Sequence, residues 1–506
     1  LIAKKMLTER MCGQSMLNLQ NCPGQKIDVP TTYIALLREP TSIQCFKSQR
    51  TFETIAMRQK IAIIGRGIYG LGSAYLLAEH HDVTVYETDS RLGGHSHTVD
   101  ITLEGQTFGV DTGFLVFNRR TYPLLCRLFS HLGVPIAESD MSFSVQISKH
   151  KLEWAGTNLD SVFAQRKNLF RWSFWSMLYD IVRFNRQSIL DLDKPALAQL
   201  TLGQYLDKKG YGKAFRNDYL LPMAAAIWSC PTAQMMDYPF NTFVRFCANH
   251  GLLQITDRPT WMTVRGGSRV YVEMLARVIR ASGGRIEAGN PVTHIQRHAD
   301  YVVLKTAKGA QRFDQLIVAC HSDQALTLLG DNATPFEKEA LGHIKYQANR
   351  AVLHTDVTLL PANRKVWSSW NYASGGEPTL NERQDVPVAV SYLLNRLQPL
   401  PTETPVIVSL NPWKEPNPDL IHQVIHYAHP VFDGPAVRAQ AEIKARCGEC
   451  RTFYAGAWLG YGFHEDGFAS AVQAVSKLAP LPAWLEPDVS ISLNTSGAPE
   501  LSVAPA

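Results

Sequence analysis

The stretch KIAIIGRGIYGLGSAYLLAEHHDVTVYE, from Lys60 to Glu87, limits what this chain can fold into more than any other. The apolar run Ile61 to Ile64 meets Gly65, Gly67 and Gly70, and an apolar pattern of helical spacing follows through Leu71, Ala74, Tyr75, Leu77 and Ala78. This predicts a strand, a tight turn and a helix. A second strand, Val83 to Tyr86, ends at Glu87, about twenty residues beyond the turn.

Gly65 permits a sharp exit from the strand, Gly67 lets a pyrophosphate approach the backbone, and Gly70 lets the helix pack closely on the sheet. The phosphates then meet the unpaired N–H groups and positive dipole end of the helix. Glu87 can accept both hydroxyls of an adenosine ribose and would repel a 2′-phosphate, so FAD or NAD is favoured over NADP. Arg66 and Tyr69 are bulky for such a loop: Arg66 points to solvent or to a phosphate, and Tyr69 needs space beside the cofactor or the sheet.

At 506 residues and 45% hydrophobic, the chain can bury the core of two or more interwoven lobes. The net charge of +5 is small for this length, and no basic block or aromatic-basic repeat marks a nucleic-acid groove. Nine scattered cysteines suit a reducing, cytoplasmic compartment. Cys447 and Cys450 form a lone CxxC, read as loop cysteines rather than a metal site. No run of eighteen apolar residues spans a membrane. Residues 1–56 read as a disordered leader, with a transit peptide as the alternative, and the Pro/Ala/Ser-rich tail 481–506 as irregular.

After Glu87, Gly93 and Gly94 offer another close backbone approach, which a nicotinamide dehydrogenase does not need and the longer, ribitol-linked FAD does. Val99 to Val110 reads as a hairpin turning at Glu104-Gly105, residues 136–258 as mostly helical, and 336–445 as strands and loops. Near the C-terminus a strand, Thr452 to Ala455, leads through a glycine-rich turn to a helix beginning near Gly467, a second helix N-terminus for a cofactor's polar end. The expected fold class is α/β: a Rossmann-like FAD-binding domain assembled from 57–135, 259–335 and 446–480, with a mixed α+β substrate domain from 136–258 and 336–445.

Taken in order, the blocks GRGIYG, ETDSRLGGHSHTV, VDTGFLVFNRRTYP, VRGGSRVYV, IVACHSDQAL and YAGAWLGYGFHEDG resemble the flavin-containing amine oxidase superfamily from about Met57 to Lys477. The likeness is greatest to bacterial NAD/FAD-binding, amine-oxidase-domain proteins found near cyclopropane-fatty-acid synthases. The resemblance implies that Gly65, Gly67, Ile68, Tyr69 and Gly70 hold the pyrophosphate and Glu87 the adenosine ribose. It places Arg91, Gly93, Gly94 and His95 along the pyrophosphate and ribityl chain, with His95 where the superfamily often has arginine. Thr112, Gly113 and Phe114 would lie near the flavin, and Val292 would meet the adenine through its backbone. Gly456, Asp466, Gly467 and Phe468 would reach the ribityl chain and the pyrimidine side of the ring. Amine oxidases place a tyrosine of their aromatic cage where this chain has Gly467, which argues against an amine substrate. No cysteine is placed for an 8α-flavin linkage, so the FAD is expected to be non-covalent.

Lys345, Tyr461 and His464 are the candidate catalytic residues, with Trp458 and Glu465 beside the same turn; the alternative for each is a structural strut or a solvated side chain. Trp367 and Trp370 either wall an apolar pocket or pack in the core. Residues 166–186 carry five basic residues and one acid among aromatics, which suits peripheral contact with a membrane or a buried helix of the substrate lobe. The reaction expected is hydride transfer from a small, hydrophobic substrate, by analogy a fatty-acyl chain, to flavin N5. The alternatives are a non-catalytic flavin-holding partner of a fatty-acid-modifying enzyme and an NAD-dependent dehydrogenase.

Overall fold

The computed structural model describes residues 57–485, apart from 198, 230, 255–257 and 375–387; the leader and most of the tail considered above lie outside the described residues. Met57 begins the compact unit to which all of them belong. Five strands, numbered here β1 (Lys60–Ile64), β2 (Asp82–Tyr86), β3 (Arg285–Glu287), β4 (Gln315–Val318) and β5 (Thr452–Tyr454), form a parallel sheet of order β3-β2-β1-β4-β5. β1 and β2 are buried from their second residue onward, as central strands covered on both faces must be. Two helices matter to the site: α1 (Ile68–Leu77) and α2 (His464–Val475). They pack side by side, and Phe468, fully buried, fits against the space that Gly72 leaves free.

Two glycines of the first turn have backbone reasons to be glycine. Gly65 has φ +106°, and a Cβ there would stand 1.9 Å from the Ala319 carbonyl oxygen. A Cβ on Gly70 would stand 2.0 Å from the Gly65 oxygen, so helix and strand could not approach as they do.

Facing this sheet is a mixed sheet of seven strands, in order Ile421–Val431, Lys345–His354, Ile407–Leu410, Ala389–Leu393, Trp370–Ser374, Phe143–Ile147 and Leu152–Ala155. The segment 136–258 is mostly helical from Leu159 to Asn249, but it opens with three strands, Ile136–Ser139, Phe143–Ile147 and Leu152–Ala155. Phe143–Ile147 pairs locally with Leu152–Ala155 and, more than two hundred residues away, with Trp370–Ser374, a pairing that local periodicity does not reveal. The hairpin Thr98–Leu103 with Gln106–Asp111 turns at Glu104-Gly105, both at positive φ (53° and 75°), the backbone of a two-residue primed turn.

The aromatic helix runs from Trp172 to Asp191 after a short turn, Arg166–Phe170. It is buried on one face only, through Phe174, Met177 and Phe184. Phe170, Trp172 and Tyr179 are 91%, 85% and 68% exposed, so the all-round apolar pattern does not mark a wholly buried helix.

Candidate active site

A cavity of about 240 Å³ opens between the C-terminal ends of the parallel strands and the seven-stranded sheet. One end is backbone and glycine: Gly67, Ile68 and Tyr69 of the first turn, Gly93, His95, Thr112, Gly113 and Phe114. The other end is aromatic and aliphatic, with Trp228, Phe246, Trp261, Trp370, Tyr392 and Leu410 among its walls. Among the described lining residues none is Asp, Glu, Lys or Arg.

The glycine end has the donor set an anionic dinucleotide requires. α1 begins at Gly67 without a side-chain cap or an acidic residue in its first turn, leaving its N–H groups free for a phosphate. The Arg66 side chain is 1% exposed, and none of its three nitrogens has a hydrogen-bond partner; Glu87 and Asp89 stand 3.6 Å away. Burial pulls the pKa of this guanidinium down, and the two carboxylates oppose that pull. A buried cation with unused donors beside an uncapped helix fits a phosphate-bearing group. Glu87 turns one oxygen onto the backbone N–H groups of Thr88 (2.7 Å) and Asp89 (3.2 Å) and keeps the other toward Arg66.

Tyr69 takes a place that sequence reasoning left open. Its ring lies 3.2 Å from where a Gly67 Cβ would stand and 2.8 Å from where a Gly467 Cβ would stand, so it bridges the starts of α1 and α2. The C-terminal HEDG turn and the first crossover are thus neighbours. A side chain at position 467 would meet the Tyr69 ring.

His464 stacks on Phe114 with ring centroids 3.8 Å apart, and its Nε2 is 2.9 Å from Ser96 Oγ, which also bonds Tyr271. Burial lowers its pKa to about 3, so the ring is neutral. Tyr461 lines the cavity, and its carbonyl accepts from Trp228 Nε1 at 3.2 Å. Trp458 donates its Nε1 to the Cys320 carbonyl at 3.0 Å, tying this turn to the end of β4. Arg91 folds back on its own loop, donating to the carbonyls of Leu92, Gly94 and Ser96, and so shapes the loop from within. Asp466 accepts from the Phe463 N–H at 2.9 Å, and the Gly456 N–H donates to Ser470 Oγ at 2.8 Å; both shape the turn before α2.

The structure does not bring Lys345 to the cavity. It is exposed at the start of its strand, and the alternation of side chains turns its neighbour Tyr346 to the cavity wall. Val292 is buried in the cluster around Tyr86, and the Phe468 side chain is spent between the two helices. Of the two tryptophans, Trp370 lines the cavity, while Trp367 packs near Leu360 and Ile407 and donates to the Pro361 carbonyl.

Sequence reasoning missed His321, Tyr346, Tyr427 and His429, all in the cavity wall. The signal for the last two lay in the strand Ile421–Val431, where residues 427 and 429 share a face by period two.

A parallel sheet with a glycine turn and a helix N-terminus opening on a cavity at its carboxyl edge is the architecture of a dinucleotide-binding protein. The chain matches the family of flavin containing amine oxidoreductases over residues 70–375, more than half its length, and belongs to that family. Its cofactor is therefore FAD, and it is an FAD-dependent oxidoreductase. Among solved structures it is similar to a putrescine oxidase variant with one substitution (13% identity, TM-score 0.60, 83% of this chain and 99% of that one). It is also similar to a CLA-producing fatty acid isomerase from P. acnes (14%, 0.58, 83% and 98%). A third is a protein from Exiguobacterium sp. 255-15 assigned as a protoporphyrinogen oxidase (17%, 0.56, 83% and 99%). At these identities the likeness is one of fold. No curated protein sequence matches the chain significantly.

Proposed function

We propose that the protein oxidises an apolar, lipid-like substrate, a fatty-acyl chain being the favoured class, and meets it at the cytoplasmic surface of a membrane. The observation that carries this reading is the cavity wall, aromatic and aliphatic and without a carboxylate that could receive a protonated amine. Bound FAD supplies a hydride acceptor at N5. The first turn and Arg66 hold the cofactor's phosphates, and Glu87 its ribose. Phe114 and His464 form a stacked pair on the cavity wall, and Trp370, Tyr392 and Phe246 exclude water and orient the C–H bond. A fatty acid isomerase among the structural neighbours supports an acyl chain as a cargo this fold can take.

No helix among the described residues is long and apolar enough to cross a membrane. The exposed aromatics Phe170 and Trp172 flank Arg171 in sequence, with Arg166 and Lys167 just before them and the exposed Tyr179 two turns along the helix, a composition suited to an anionic lipid interface. The test of the substrate class is anaerobic mixing of the purified yellow protein with fatty-acyl lipids and, separately, with primary amines. Bleaching of the flavin by lipids supports the reading; bleaching by amines alone overturns it, and bleaching by neither favours a flavin-holding partner protein.

A further inference from the structure

His95, His321 and His429 reach the cavity from three distant parts of the chain: the glycine loop after β2, the residue before the helix Ser322–Leu329, and the strand Ile421–Val431. Their rings gather around His95, with centroids 6.3 Å away for His321 and 5.4 Å for His429. Tyr427 stacks on His95 at 4.9 Å and Tyr346 on His321 at 4.3 Å, so the cluster is walled by rings.

His95 Nε2 is shielded from solvent and has no hydrogen-bond partner. His429 Nδ1 stands 3.0 Å from Asn349 Nδ2, which also donates to the Gln347 carbonyl while the Asn349 oxygen accepts from Asn411. That orientation makes the Asn349 nitrogen the donor and leaves the hydrogen of neutral His429 on Nε2. The charged and titratable groups around the cluster are Arg91 and His97 on the loop, Asp323 beside His321, Tyr69 on α1, Cys320 after β4, Tyr346 and Tyr427 on the sheet, and His464 on α2. The main influences on His95 and His429 are burial, neighbouring imidazoles and Arg91, while the nearby carboxylates Glu87 and Asp89 act on Tyr69, Cys320 and His97 at the edge of the cluster. Desolvation and mutual repulsion disfavour the charged form of these imidazoles, and a negative charge among them would favour it. Burial and its histidine and Arg91 neighbours hold His95 well below the ordinary range, and burial with His321 holds His429 at about 4.

We propose that His95, His321 and His429 form an anion-receiving site that takes up protons as the anion enters, the anion being a cofactor phosphate or the carboxylate head of an amphipathic substrate. The proposal rests on the flavin-site reading. The proton comes from solvent and adds to an imidazole nitrogen; no other bond changes. Because the pKa of each ring is low in the empty site and raised beside the anion, binding strengthens as pH falls through the range between the two values. The gain is about tenfold per pH unit for each whole proton taken up.

The experiment is calorimetric titration at pH 6.5 in two non-phosphate buffers of different ionisation enthalpy, in two arms: FAD into flavin-stripped protein, and dodecanoate into the holoprotein. Uptake approaching one proton in the FAD arm assigns the anion to phosphate, and in the dodecanoate arm to the substrate head. His429→Gln and His321→Gln are expected to lower the uptake in whichever arm shows it, and far-UV circular dichroism verifies their folding. FAD binding with no proton exchange in either arm overturns the proposal and leaves the flavin assignment standing, whereas a chain that binds no FAD overturns both.

Discussion

Glu465 accepts the backbone N–H of Leu124 at 2.9 Å, and its second oxygen takes that of Leu125 at 3.0 Å. It thereby caps the helix Pro123–Leu132, whose own N-cap residue, Tyr122, makes no side-chain bond. A residue next to the flavin turn that looks like an acid or base in the sequence is thus a strut between two parts of the nucleotide lobe. Replacing Glu465 with Ala is expected to lower stability by about 1–2 kcal/mol. A lower denaturation midpoint at unchanged slope is the readout; an unchanged midpoint contradicts the capping role.

Two buried carboxylates bias stability with pH in opposite directions. Burial lifts Glu465 to about 7 against its two backbone bonds, so the folded state holds its proton more tightly than the unfolded chain. Its contribution is full below the unfolded value and lost as pH rises from about 4.5 to about 7. Burial would also lift Glu337, yet bonds from Arg297, Tyr454 and Thr334 outweigh it and hold that carboxyl at about 2. Its contribution is present above pH 4.5 and lost as pH falls toward 2. In melting curves taken across pH, Glu465→Gln is expected to flatten the descent toward neutrality, and Glu337→Gln the loss in acid.

Arg297 meets Glu337 through two parallel bonds of 2.7 and 2.6 Å, with side chains only 6% and 9% exposed, and Tyr454 adds its hydroxyl at 2.6 Å. The pair clamps the antiparallel strand Val292–Arg297 to the helix Pro335–Gly342 and to β5. Arg297→Met leaves a buried anion uncompensated and is expected to cost about 3–5 kcal/mol. The double replacement Arg297→Met with Glu337→Leu should recover most of that in denaturant titrations.

Gly70→Val places a branched side chain where even a Cβ would stand 2.0 Å from the Gly65 oxygen. The expected result is a protein that purifies with little flavin and melts at lower temperature, read from the ratio of flavin to protein absorbance. Full flavin occupancy would mean that the first turn does not position the cofactor.

Phe170 and Trp172 are almost wholly exposed, so replacing both with Ser should leave the melting temperature nearly unchanged. Sedimentation with anionic vesicles should fall at least tenfold, since burial of each large aromatic at the interface is worth about 1.5–3 kcal/mol. Equal binding by the variant would dismiss the helix as the membrane contact.

The first crossover was legible because its requirements are local. Gly65, Gly67 and Gly70 mark a turn, the runs after Lys60 and Asp82 are apolar without alternation, and Glu87 ends the second strand; each signal lies within thirty residues. The hairpin at Glu104-Gly105 was legible for the same reason. The place of Phe143–Ile147 in the large sheet was not, because beyond its local hairpin with Leu152–Ala155 its other partner begins at Trp370. Lys345 and Tyr346 are adjacent in sequence, and only the register of their strand decides which of them faces the cavity.

By itself, then, the sequence determined that a dinucleotide-binding crossover exists and in what order its supporting segments come, because backbone geometry and hydrophobic period act over short distances. Tertiary structure alone decided that Tyr69 bridges the two helix starts, that Arg66 is buried with unused donors, that Glu465 is a cap, and that three histidines share one cavity end. Those facts depend on which distant surfaces meet and which polar atoms lose their water when they do, and no local pattern encodes that.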